Sequence, residues 1–467
     1  MFVPHIDGYL GTYPKAIIER IRIVPSPLET PVKSPLDILN SMEQGFGPWI
    51  ASQMASQNFE INGLSVEPPS YFLEDQTCGG ISITSKELHG LPTIGWYCAT
   101  AATFLSHFGN AEHGEGSRLY EAVRIAMSNQ EAGSTKSFSE ILDQELKFNR
   151  VVCAPGLPPH YEHEQIPQPQ PVILPLMIQM YKRWLSMLEH INGMIYTSLH
   201  EMEPIAAEAS AKGLVKPIPA FCTGLPADLL SSSRLRRSVS ESDPVISFMD
   251  RAYNGLGARS VVYIAFGSHF FPAAESASHF KILIEEILAQ NLRLVVSAKR
   301  ESLVGVGFHE SYMDELASTG QAIFPEWTKQ LEVLEHPAIH YFVSHGGWNS
   351  TAEAIVRGVP IIFWPMAADQ PSNALLLRQL DCGFELLQVR RGPARSTAYT
   401  PHGDILITGS DEAVRKEVQN ILKMSKRQRG VQQRLNMGAL GKVAIESYEA
   451  GGSADVALSR LGKTMGL

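Results

Sequence analysis

Short runs of β-branched and aromatic residues recur along the chain, most closed by a Gly, Ser or Pro turn and followed by apolar residues at helical spacing. Residues 70–73, 91–97, 193–198, 260–268, 292–297, 339–343 and 359–365 read as strands. Residues 82–89, 275–290 and 350–357 read as connecting helices, and 411–424, 431–447 and 454–461 as helices toward the C-terminus. A short helix over 15–20 and a strand over 22–24 open the chain. Residues 174–191 carry Met177, Met180, Trp184 and Met187 at amphipathic spacing, a stripe that most often faces a core. Strands alternating with helices in this way build α/β domains around parallel sheets.

A chain of 467 residues is long for one hydrophobic core, so two domains are expected. The first is expected over 1–240 and the second over 259–450, with 451–467 as a closing helical segment. Polar residues from Ser231 to Pro244 mark the boundary, and 241–258 are expected to be a linker.

The densest chemistry lies between Trp327 and Gln370. The strand over 339–343 runs into Ser344-His345-Gly346-Gly347-Trp348-Asn349, a turn whose glycines let the backbone bend tightly and approach a ligand. A helix opening at Asn349-Ser350 and stopped by Gly358 presents free N–H groups and a positive dipole end, which suits a phosphate. His345 and Ser350 can add donors. Ser350 and Glu353 are also spaced as a capping box, so Glu353 could merely close the helix start. The loop after the next strand ends in Asp369-Gln370, at the carboxyl ends of strands, where open α/β sheets place ligands.

As a whole this stretch resembles the donor-binding signature of family 1 UDP-glycosyltransferases. The matching residues are Trp327, Gln330, His336, the run from His345 to Ser350, Glu353, Gly358-Val359-Pro360, Trp364-Pro365 and Asp369-Gln370. Lys329 and Gly346 depart from the plant pattern, where proline and often cysteine stand, and point to a fungal branch. The resemblance implies the GT-B fold, two Rossmann-like doubly wound domains facing a cleft, with the closing helix crossing back to the first domain. It implies that Trp327 stacks on uracil, that Gln330 lies beside the nucleoside and that Glu353 takes the ribose hydroxyls. His345, Asn349 and Ser350 would hold the diphosphate, with Gly347 keeping side chains clear and Ser268 facing the same group. Trp348, Asp369 and Gln370 would meet the sugar. The implied activity is inverting transfer of glucose or xylose from a UDP-sugar to a small lipophilic acceptor such as a terpenoid, sterol or polyketide. No cofactor is implied beyond the sugar nucleotide as co-substrate.

The first half of the chain matches less closely. In the family a strand and a Gly-His loop come first, and the histidine is the catalytic base. His5 is the histidine near the start, and residues 2–4 are the competing candidate for a central strand. An N-terminal sheet one element short is the expectation. At the end of the strand over 70–73, Glu74 and Asp75 are adjacent carboxylates that pattern alone does not separate. The resemblance assigns Asp75 as the residue that orients the base.

Composition narrows the partners. The net charge of −9 argues against a nucleic-acid surface. Five scattered cysteines suit reduced thiols, and no apolar run approaches a bilayer span, so a cytoplasmic protein without a transmembrane segment is expected. His160 and His163 sit on a proline-interrupted loop without further ligands, so no metal site is expected. Two other functions remain open on these residues: a UDP-sugar-binding protein with impaired catalysis, and a UDP-sugar epimerase or hydrolase on a similar fold.

Overall fold

The computed structural model describes residues 13–19, 21, 35–55, 59–61, 64–78, 80–109, 119–145, 150–169, 180, 183–184, 186–212, 216–230, 243–268 and 270–466. His5, residues 2–4 and the expected strand over 22–24 lie outside them. Two compact units emerge: Met1–Trp96 with Gln179–Ile195 and Met465–Leu467, and Tyr97–Ile178 with Tyr196–Thr464.

In the first unit β1 (Phe72–Asp75) and β2 (Thr93–Tyr97) are parallel neighbours, linked by helix α1 (Gly80–His89). Strand β3 (Gly193–Tyr196) lies on the other side of β2. The turn before β3 is pinned to β2 twice, because Thr93 N–H donates to Asn192 Oδ1 at 3.1 Å and Asn192 N–H donates to the Thr93 carbonyl at 2.7 Å. β1 starts two residues later than expected, after Pro68 and Pro69, which carry no N–H for a ladder. It therefore includes Glu74 and Asp75, and strand alternation separates them. Glu74 is buried at 3% exposure, whereas Asp75 is half-exposed. Trp184 and Met187 of the expected stripe are buried, as a core face requires.

The second unit contains a six-stranded sheet. Its strands are β4 (Val261–Ala265), β5 (Arg293–Ser297), β6 (Ala322–Ile323), β7 (Ile339–Ser344), β8 (Ile361–Phe363) and β9 (Gly383–Glu385). All neighbours are parallel and the order is β6-β5-β4-β7-β8-β9. The order runs outward one way from β4 and then the other way from β7, so the topological switch point lies between these two strands. Every residue of β4 and β7 is buried, which is why both are rich in β-branched and aromatic residues without polar alternation. Phe266, Phe280, Phe308 and Trp364 pack above the sheet, with Phe266 edge-on to Trp364 at 5.8 Å. Side chains of this size contribute about 1.5–3 kcal/mol each on burial.

Residues 241–258, expected as a linker, are mostly helix α2 (Pro244–Leu256). Asp243 caps it by accepting the Val245 N–H at 2.8 Å, Pro244 fits the first turn, and Val245, Phe248, Met249 and Ala252 form its buried face. Of the polar residues that suggested a linker, Asp243 and Pro244 are the start of this helix.

Candidate functional site

The switch point brings two glycine turns together. After β4, Gly267 turns with φ 73°, and after β7 the chain enters His345-Gly346-Gly347. The His345 ring lies between them. A Cβ on Gly267 would fall 2.9 Å from this ring, and one on Gly347 would fall 2.6 Å from its Nε2. Gly347 thus makes room for the imidazole. Gly346 has φ 86° and a Cβ there would meet Phe363 at 2.8 Å, so the cysteine of the plant pattern does not fit this packing. Burial pushes the His345 imidazole down to about 4, and it is neutral at pH 7.

Helix α3 (Trp348–Val356) begins two residues before the expected start, with Gly347 as its N-cap. Ser350 therefore lies inside the first turn, and the capping-box alternative for Glu353 is not formed. The Trp348 N–H donates to Asp369 Oδ2 at 3.0 Å, and Thr351 N–H reaches the Gly347 carbonyl at 3.0 Å. Asn349, with an exposed side chain, and Ser350 supply the other first-turn N–H groups.

Beside this turn is a cavity of about 750 Å³, lined by Ser268, Trp327, Gln330, Ser350 and Glu353 together with Tyr263, Thr328, Phe270, Lys299 and Lys329 among others. Its polar floor is a hydrogen-bonded set. The Tyr263 hydroxyl donates to Gln330 Oε1 at 3.0 Å and lies 2.7 Å from Thr328 Oγ1. Gln330 Nε2 donates to Glu353 Oε2 at 2.8 Å and to Ser350 Oγ at 3.2 Å. Burial raises the Glu353 carboxyl, and the Gln330 amide opposes it. Burial also pushes the Tyr263 phenol up to about 12, so it remains a donor at pH 7. Trp327 is 76% exposed at the rim, a large planar face open to a ligand. Tyr263 and Thr328 were not singled out by the sequence. Their only signal is position, one on a switch-point strand and the other next to Trp327.

The remaining expected residues gather behind the turn and do not line this cavity. Gln370 is buried at 1% exposure, and its Oε1 accepts the N–H groups of Met366 at 2.8 Å and Ala367 at 3.1 Å. That leaves its Nε2 as a donor. Asp369 is half-buried, and burial raises its carboxyl against the lowering effect of its Asn373 and Trp348 donors. The Trp348 ring is 3% exposed and its Nε1 donates to the Thr197 carbonyl, while its backbone N–H holds Asp369 Oδ2. His336 accepts the Ala338 N–H at Nδ1 and directs Nε2 to Asp250 at 3.1 Å, which is structural.

Asp75 belongs to the first unit, and its expected partner His5 lies outside the described residues. His160 and His163 are buried and hydrogen-bonded to the Pro158 and Thr397 carbonyls at 3.0 and 2.8 Å. Among the described residues no group of three or more His, Cys, Asp or Glu side chains could hold a metal ion, and no helix is long and apolar enough to cross a membrane. None of the five cysteines takes part in a disulfide.

Known proteins resemble the chain across this region. The family model described as "UDP-glucoronosyl and UDP-glucosyl transferase" matches residues 172–389, which include the cavity and both glycine turns. Over this segment the chain is similar to the UDP-glycosyltransferase family. It is 29% identical to UDP-glycosyltransferase eriJ of Hericium erinaceus over 269 residues, 55% of this chain and 51% of that protein. It is 30% identical to UDP-glycosyltransferase 90A2 of Arabidopsis thaliana over 194 residues, 41% of this chain and 36% of that one. The chain thus spans about half or less of the length of these two members of the family. The structure of a Polygonum tinctorium UDP-glucosyltransferase superposes with a TM-score of 0.66 at 19% identity, covering 99% of this chain and 90% of that one. The fold is GT-B, α/β with Rossmann-like parallel sheets.

Proposed function

We propose that the protein is an inverting glycosyltransferase that moves glucose or xylose from a UDP-sugar to a hydroxyl of a small lipophilic acceptor, such as a terpenoid, sterol or polyketide. The observation that carries this reading is the cavity beside the switch point. The exposed Trp327 face offers a stacking surface for a pyrimidine, and Glu353, held by Gln330, offers a carboxylate to paired ribose hydroxyls. The diphosphate falls at the start of α3. There the N–H groups of Asn349 and Ser350, the helix dipole and the neutral His345 imidazole can meet the charge that builds on the leaving group. Protein donors supply this stabilisation, and no cofactor is part of the proposal.

Asp369 and Gln370 differ in what they offer a sugar. With its Oε1 occupied, Gln370 presents only its amide donor, while Asp369 presents an acceptor. A pair of neighbouring hydroxyls, one accepting and one donating, fits them. A general base oriented by Asp75, with His5 as the candidate, would take the proton of the acceptor hydroxyl. Attack opposite the departing UDP inverts the anomeric carbon. A cytoplasmic location belongs to the same reading.

Mass spectrometry of reactions pairing UDP-glucose and UDP-xylose with a panel of hydroxylated lipophiles tests the proposal. Acceptor masses raised by one hexose or pentose support it. UDP-sugar bound without turnover on any acceptor points to a binding protein, and UDP-sugar consumed without acceptor points to an epimerase or hydrolase.

A further inference from the structure

Asp369 is not held by its own loop alone. Asn373, one turn further along the helix α4 (Gln370–Gln379), is fully buried and uses both amide hydrogens. Its Nδ2 donates to Asp369 Oδ2 at 2.7 Å and to the Gly346 carbonyl at 2.9 Å. Both partners are acceptors only, so the chemistry itself fixes which end of the amide is nitrogen. Its Oδ1 accepts from Thr103 Oγ1 at 3.3 Å, and Thr103 Oγ1 in turn accepts from Thr100 Oγ1 at 2.8 Å. Thr100 and Thr103, both fully buried, lie at the start of the helix Ala101–Phe108, which Thr100 caps. A continuous polar chain thus runs from that helix through Asn373 to the carboxylate and to the donor turn.

We infer that Asn373 is a positioning residue for the sugar subsite, with Thr103 and Thr100 setting its amide. The inference rests on the reading above that Asp369 meets the sugar. Two donors, Asn373 Nδ2 and the Trp348 N–H, converge on Asp369 Oδ2. Oδ1 is then the oxygen left for a hydroxyl, in one fixed direction. The same amide ties the Gly346 carbonyl, so the carboxylate and the diphosphate turn are set against each other by a single side chain. A residue needed only to fill this space would be better served by an apolar side chain, because a buried amide costs free energy unless every bond is made. The effect on the ligand is therefore unequal. It is largest on the sugar, which meets Asp369 itself, and small on the nucleotide, whose base and ribose face Trp327 and Glu353 and whose diphosphate meets the turn tied at Gly346.

Calorimetric titration of the full chain with UDP and with UDP-glucose tests this, using Asn373→Ala, Thr103→Val and Thr103→Ser. Asn373→Ala is expected to weaken UDP-glucose about tenfold while UDP affinity changes by less than about twofold, the loss of one well-made hydrogen bond to a charged group. Thr103→Val is expected to shift UDP-glucose in the same direction by about threefold, and Thr103→Ser, which keeps the hydroxyl, to restore it. Thr103→Val keeps the volume of the side chain, so it decides the matter even where Asn373→Ala folds poorly. Equal losses for UDP and UDP-glucose, or no loss for either, overturn the positioning role and leave the donor reading standing. A wild-type chain that binds neither ligand overturns both.

Discussion

Glu353 takes its hydrogen bond from Gln330, at 2.8 Å, and not from the backbone at the start of its own helix. The helix begins at Trp348, so Glu353 sits a turn and a half inside it, where a carboxylate contributes nothing to capping. Its burial is tolerated because Gln330 supplies a donor, and Gln330 is itself held by Tyr263. Glu353→Ala is expected to weaken UDP binding by about 1–3 kcal/mol, the range for a hydrogen-bonded charged group. Isothermal calorimetry with UDP measures it. Unchanged UDP affinity with a lowered melting temperature would return Glu353 to a purely structural role.

Trp327 makes the complementary case. At 76% exposure its indole has little folding energy to lose. Trp327→Ala is expected to leave the melting temperature nearly unchanged and to cost about 1–3 kcal/mol of UDP affinity, as loss of a base-stacking aromatic does. Equal UDP affinity in the two proteins rules out the stacking role.

Gly347 and His345 should be coupled. A methyl group at Gly347 has nowhere to go while the imidazole is present, because its Cβ would lie 2.6 Å from Nε2. Gly347→Ala is expected to destabilise the fold by about 1–3 kcal/mol, the usual cost of overpacking. In a His345→Ala background the same change should cost much less. A double-mutant cycle in urea reads the coupling, and additive effects would show that the ring yields freely.

Much of this site was legible from residue pattern. The β-branched and aromatic strands, the glycine turn after the strand over 339–343 and the polar residues at strand ends marked where a ligand lies. What escaped did so for physical reasons. Gly347 caps α3 without a side chain, so nothing in the pattern marked the true start, and Asn349-Ser350 read as the opening. Helix α4 buries Gln370 and Asn373, and the Gln370 Oε1 and Asn373 amide bonds that hold the loop are made inside the protein, which residue pattern alone does not mark. Residues 241–258 looked like a linker because the stretch from Ser231 to Pro244 is polar, and the polar Asp243 that caps a helix reads the same way as a loop residue. The carboxylates Glu74 and Asp75 could be separated only by which face of β1 each occupies.

The leaving group gives a prediction about metals. On the proposed reading the turn meets the diphosphate with N–H groups and an imidazole, so activity on a responsive acceptor is expected to survive EDTA. Abolition by the chelator with recovery on adding manganese would mean that the turn does not suffice.

The state of His345 gives the last. Burial alone lowers its imidazole from 6.5 to about 4, and it is 8% exposed, so solvent screening offers little relief. For a group whose folded value is depressed and whose charged form is the protonated one, the unfolded chain takes up the proton first. The stability that His345 contributes is therefore fully present above pH 6.5 and is lost as pH falls from there toward 4. His107 and His340 are also depressed by burial, to about 4 and about 3, so the acid limb of the wild type alone does not isolate one residue. The difference between wild type and His345→Asn does, since the other histidines are common to both. That difference is expected to move against the wild type by up to about 3 kcal/mol across the window, at about 1.4 kcal/mol for each pH unit crossed. Urea denaturation at a series of pH values measures it. A difference that stays flat through the window would mean that the imidazole charges freely in the folded protein, and the diphosphate would then be met by a cation and not by a neutral donor.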